Sequence, residues 1–267
     1  MKHSMWNKKQ LKTCLIFALL SVWAPASIVV ADEPMLSLPL SDEADRDDSF
    51  VEYRNALSQS VKFREPEQFV TLVNIRVLGG YDTGQGMQEF AQAWRIDAID
   101  SPLWPTMEQI LALGGGFVRS NKGAQFCAPY VFTDFPETLD PRTHGVVVSD
   151  NASLMDEPSF TANVIGSLAY DLVKVDDWKG VSVQTPSGAT ENWVQIKSLK
   201  GPQGWLSRKE VRSPLDPHAC FVLSGGKWSM ISLVNGWDGL ASRKKVPLAS
   251  TESNLPAEEE STDGAEM

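Results

Sequence analysis

Two hydrophobic periods divide the chain. Up to about residue 112, apolar side chains recur every three or four positions, the spacing that lines one face of a helix. Ser49 and Glu52 have the spacing of a capping box, and Phe50, Tyr53, Leu57 and Val61 follow on one face, which predicts a first helix. Pro66 suits the opening of a second, with Phe69, Leu72 and Val73 facing inward until Gly79-Gly80 stops it. Met87, Phe90, Ala91 and Trp94 mark a third. The clearest start is Ser101-Pro102, a capping serine and then a proline where no donor is needed, ahead of Leu103, Met107, Ile110 and Leu111. Gly114-Gly115-Gly116 closes that helix, whereas a phosphate-cradling loop opens one after a strand, so the triplet reads as a terminator.

Beyond it the pattern shortens. Residues 117–118 and 126–132 read as extended, with Pro129 suggesting an edge or bulge, and 135–141 as a linker of turn formers. From Gly145, short apolar runs separated by turns predict strands at 146–148, 164–168, 172–175, 181–183, 193–199 and 204–206. That density argues for a small barrel of five or six strands. Its closing half is the run from Trp193 to Pro214, in which Trp193 and Trp205 are expected as large inward groups. Cys220–Leu223, a Ser-Gly-Gly turn and Trp228–Val234 form a separate hairpin signal. This hairpin is expected to pack back on the helical part, which makes the barrel an insertion. The expected fold class is therefore α+β: a helix-rich domain over 49–140, a barrel over 141–213 and a hairpin within 214–239.

The two ends change the compartment but not the fold. Lys2, Lys8, Lys9 and Lys12 precede an apolar stretch from Leu15 to Val30, with small residues for cleavage after Ala26 or Ala31: the layout of a secretory signal peptide over 1–31. Removing those four lysines shifts the net charge from −10 to −14. Residues 32–48 hold seven acids and one base, and 249–267 hold six acids and none, so the acidity belongs to the ends. The first is read as a flexible leader and 240–267 as a disordered tail. Such ends repel polyanions, so no nucleic-acid partner is expected. Once the signal is cleaved, no stable membrane insertion is expected, and the protein is placed in the periplasm or outside the cell. Two cysteines remain, Cys127 and Cys220; in an oxidising compartment they pair or stay as buried thiols, and spacing alone does not choose.

Residues 146–212 resemble a bacterial SH3-like (SH3b) domain. The resemblance rests on Glu157-Pro158-Ser159, Val164-Ile165-Gly166, Val173-Lys174-Val175, Trp193-Val194-Gln195-Ile196 and Gly204-Trp205-Leu206, the last ahead of a helical turn. Where that family often carries Asn-Val-Arg, this chain reads Ser153-Leu154-Met155, so no role of that arginine carries over. A wider likeness, through Ser101-Pro-Leu-Trp104, Ala128-Pro-Tyr130, Phe135-Pro136 and Gly226-Lys-Trp228, is to exported bacterial SH3 domain-containing proteins of unassigned function. It implies the two-part layout and no activity.

Candidate chemistry is sparse. A Cys–His nucleophile has only Cys127 with His144 or His218 to draw on, and Cys127 lies in an apparent strand. Two histidines 74 positions apart form no metal-ligand spacing, and no cofactor is expected. Arg208, Lys209 and Arg212 read as a solvated basic face. Tyr170 and Trp178 fall beside turns, where an aromatic grips an extended peptide or stacks on a sugar; they are the candidate ligand-binding residues. Two functions follow. One is a non-catalytic envelope binding or scaffold module that recognises a peptide or a cell-wall glycan or peptide through its SH3-like domain; the other is a cell-wall hydrolase or amidase with its active site in the helical half. Beside them stands a purely structural or assembly role with no small ligand.

Overall fold

The spacing after residue 48 does form a helix, but its cap is not the expected one. In the computed structural model, which describes residues 36–79, 86–120 and 123–234, α1 (Asp48–Phe63) buries Phe50, Tyr53, Leu57 and Val61. Asp47 is the N-cap and accepts from Phe50 N at 3.0 Å, because a carboxylate satisfies a first-turn donor and also meets the positive end of the helix. Ser49 instead accepts from Trp228 Nε1 at 3.0 Å. The expected signal peptide and the tail from 240 lie outside the described residues.

α2 (Pro66–Thr71) opens on its proline and then stops short. Leu72 and Val73, expected on its inner face, leave the helix: Val73, Ile75 and Val77 recur at a period of two and form β1 (Val73–Leu78). α3 (Met87–Trp94) and α4 (Leu103–Ala112) follow, the latter with Ser101 Oγ accepting from Leu103 N. β2 (Gly116–Ser120) and β3 (Gly123–Ala128) pair antiparallel. The extended run expected to Phe132 ends at Pro129, which has no ladder donor, and Tyr130–Asp134 turns into α5.

What was expected as a helix-rich domain is thus helices sharing one core with a five-stranded sheet, ordered β1-β13-β12-β3-β2. Two of its three inner strands are the hairpin β12 (His218–Ser224) and β13 (Lys227–Val234). β12 pairs with β3, placing Phe221 opposite Phe126 and Cys220 opposite Cys127, and β13 runs parallel to β1. Cys127 and Cys220 are joined in a disulfide, with S–S 2.02 Å. Phe50 anchors the core, its ring centroid 4.2 Å from Phe126, 4.8 Å from Trp228 and 5.7 Å from Phe221.

Between α5 and β12 the chain builds a second sheet from β4 (His144–Val147), β5 (Ala152–Met155), β6 (Val164–Leu168), β7 (Leu172–Val175), β8 (Val181–Gln184), β9 (Thr190–Ser198), β10 (Gln203–Ser207) and β11 (Val211–Arg212). The order is β11-β4-β7-β9-β10-β5-β6, with β8 added on β9. This is eight strands where five or six were expected, and no closed barrel forms. The hairpin of β5 and β6 carries the sheet past β10, so that β6 and β11 remain as edges. Val147, Leu154, Val173, Ile196 and Leu206 fill its inner face.

A third apolar cluster, with Leu38, Tyr130, Phe135, Val146 and Leu172, joins α5 to the second sheet. Leu38 belongs to the segment expected as a flexible leader. From Leu36 on that segment is pinned: Leu38 N donates to Tyr170 O at 2.8 Å and Glu43 N to Gly115 O at 2.8 Å. Its acids act as acceptors, Asp42 for Arg54 at 2.5 Å and Glu43 for Phe117 N at 2.9 Å, which is why their charge does not keep the segment loose.

Candidate functional site

The strand pairings sort the aromatic residues of the second sheet by face. Val194 and Ile196 on β9, with Leu206 on β10, point inward. Side chains alternate along a strand, so Trp193 on β9 and Trp205 on β10 belong to the outer face. Trp205, expected as an inward core group, is therefore only half-buried. Gly204 takes the inward position beside it, because a Cβ there would stand 2.6 Å from Met155 O and 2.8 Å from Leu154 Cγ.

Cross-strand partners extend this outer face. Val164 on β6 lies opposite Met155, and Met155 lies opposite Trp205. Trp193 lies between Ser207 on β10 and Val181 on β8. Phe160, from the loop between β5 and β6, stands edge-on over Trp193, with centroids 5.2 Å apart and planes at 82°. Phe160 and Val181, 39 % and 44 % exposed, flank an indole that is itself 5 % exposed, and Val164, 61 % exposed, stands on the same face three strands away. Trp193 Nε1 is buried and has no hydrogen-bond partner, leaving a donor unused beneath Phe160.

Polar groups border this face. Glu191, two residues before Trp193, accepts from Lys209 Nζ at 2.8 Å and from Ser207 Oγ. These donors, the lysine foremost, hold its carboxyl below the usual glutamate range. Burial, and then the charge of Glu191, pushes the neighbouring Glu210 upward. The basic residues expected as a solvated face are mostly engaged: Arg208 pairs with Asp216 at 2.6 Å and covers the Trp178 ring at 4.8 Å, while Arg212 is buried with Nη2 donating to Pro217 O. The turn between the two sheets draws these cations in, because its carboxylate and carbonyls face them.

Tyr170 and Trp178 sit elsewhere. Trp178 packs against the inner cluster, donates Nε1–H to Arg142 O at 2.8 Å and has one ring face under Arg208. Tyr170 is half-buried at φ 54°, its N–H bonded to Ser149 O just beyond β4 and its carbonyl accepting from Leu38. The structure brings neither to the outer face. Phe160, which sequence reasoning passed over, did carry a signal: it is the single aromatic in the polar loop Asp156–Asn163.

The helical half offers less. A cleft of about 580 Å³ between α1 and α2 is lined by Ala56, Gln59, Ser60, Glu65, Glu67 and Gln68. Its glutamates and glutamines are exposed, and Ser60 already donates to Leu57 O, so it presents hydrated groups and no desolvated acid–base pair. Cys127, bonded to Cys220, supplies no thiolate. Among the described residues no group of three His, Cys, Asp or Glu side chains is placed to hold a metal ion, and no helix is long and apolar enough to cross a membrane. Comparison with protein-family models, with curated proteins and with solved structures gave no match.

Proposed function

We propose that this chain is an exported, non-catalytic binding module of the cell envelope, and that its second sheet is an SH3-like unit recognising a peptide or peptidoglycan-like ligand. The SH3-like reading is supported by the antiparallel series β11-β4-β7-β9-β10, by the pairing of its first and last strands, and by the 3-10 turn Arg208–Glu210 after Gly204-Trp205-Leu206. The observation that carries the functional reading is the pair of exposed apolar side chains, Phe160 and Val181, beside the unused Trp193 donor. A ligand carbonyl that reaches Trp193 Nε1 satisfies a group that is otherwise buried at a cost. The disulfide at Cys127 weighs against a Cys–His hydrolase, the alternative with a named nucleophile.

The test is co-sedimentation of the purified protein with insoluble cell wall, with the supernatant assayed for soluble muropeptides. Retention without muropeptide release is expected. Phe160→Ala should weaken retention about tenfold, the usual effect of truncating an aromatic anchor, and Tyr170→Ala and Trp178→Ala should weaken it less. Release of muropeptides, or retention indifferent to Phe160→Ala, overturns the reading.

A further inference from the structure

One edge of the second sheet carries no charge and, among the described residues, no cover, and a single bulge interrupts it. β6 pairs only with β5, and among the described residues no strand lies on its other side. Alternate N–H and C=O groups of an edge strand point outward and template another chain, so edges generally carry lysine, proline or a cover. Residues 164–168 read Val-Ile-Gly-Ser-Leu, with neither charge nor proline, and Val164 and Ile165 are 61 % and 51 % exposed. A bulge between Val164 and Gly166 is the one irregularity along it.

The charge around this edge has one sign. From Ser149 to Val173 the chain holds Asp150, Asp156, Glu157 and Asp171, with no lysine, arginine or histidine. Asp171 is buried against Lys200 at 2.6 Å, but the other three are exposed and frame β6. Asp156 binds Asn163 just ahead of the strand, through N at 3.0 Å and Nδ2 at 2.9 Å, and the side-chain bond foremost lowers its pKa, so it stays ionised. Asp150 lies beside Asn151, whose Oδ1 accepts from Ser167 near the other end. A second copy pairing antiparallel with β6 would set Asp150 of one chain near Asp156 and Glu157 of the other, so charge opposes self-pairing.

We propose that β6 receives an extended segment of another protein as an added strand, one that alternates aliphatic residues and carries Lys or Arg near its ends. This rests on the binding-module reading and names its ligand. Main-chain hydrogen bonds to β6 supply affinity, Val164 and the adjoining outer face select the side chains, and the acidic frame selects the charge.

Selection of a randomised octapeptide library on the full chain tests it, run in parallel on the folded variants Val164→Lys and Asp156→Asn/Glu157→Gln. Recovered peptides are expected to place aliphatic residues at alternate positions and to carry lysine or arginine near their ends. Their affinity should fall at least tenfold for Val164→Lys, fall severalfold for the acidic double variant, and fall at least tenfold when alternate peptide nitrogens are methylated. Val164 is exposed, so a normal unfolding curve will show that its variant is folded. Recovery of peptides indifferent to N-methylation or to Val164→Lys overturns strand addition. Wall retention that depends on Phe160, with no basic peptide recovered from the library, also overturns it while leaving the binding module standing. Loss of both wall and peptide binding in the unaltered protein overturns the module itself.

Discussion

At the scale of single residues, the second sheet spends its polar groups unequally. Trp193 holds a buried N–H with no acceptor, while Glu191 on the same face accepts from two donors. The second arrangement has a pH signature. Because its carboxyl titrates below the ordinary value of 4.5 in the fold, the ionised form favours the folded state. That stabilisation is complete above pH 4.5 and disappears as pH falls through the lowered folded value. Glu191→Gln should therefore cost about 1 kcal/mol at pH 7, the scale of a hydrogen-bonded pair with one exposed member, and less near pH 3. Urea unfolding of both proteins at the two pH values checks this, and an equal loss at both refutes the electrostatic cause.

Among elements, α1 shows how a cap sets a helix start. Asp47→Ala should lower stability by about 1 kcal/mol, whereas Asp47→Asn, which keeps the acceptor, should cost a few tenths, as thermal unfolding would show. The helices α1, α3 and α4 were legible because each repeats its period over two or more turns beside a clear start or stop. β1 was not. Phe69, Leu72 and Val73 satisfy helical spacing while Val73, Ile75 and Val77 satisfy strand spacing, and the parallel partner that decides between them, β13, lies about 150 residues away. The hairpin β12–β13 was legible from its turn, since local chemistry fixes it. The faces of Trp193 and Trp205 were not, because two bulky residues in neighbouring strands do not declare a register, and a shift of one position exchanges inside for outside. Phe160 has no periodic partner at all; only an aromatic among polar loop residues marks it.

At the scale of the whole molecule, the second sheet is an insertion between two adjacent strands of the first. β3 and β12 pair directly, and the disulfide that spans them closes a loop across 93 residues. A closure of that size removes roughly 4–5 kcal/mol of unfolded-state freedom. Replacing both cysteines by alanine should lower stability by an amount of that order, measured by denaturant titration, while reductant should have no effect on the variant. The nesting also governs the order in which the chain can acquire structure. Synthesis delivers β3 long before β12, so the first sheet waits with its centre missing, and β1 waits longer still for β13. Every strand of the inserted sheet has emerged by then, and its pairings are with one another. The part of the protein that comes second in the sequence is thus the first able to finish folding, and the helical half, though made earlier, completes itself around a neighbour already in place.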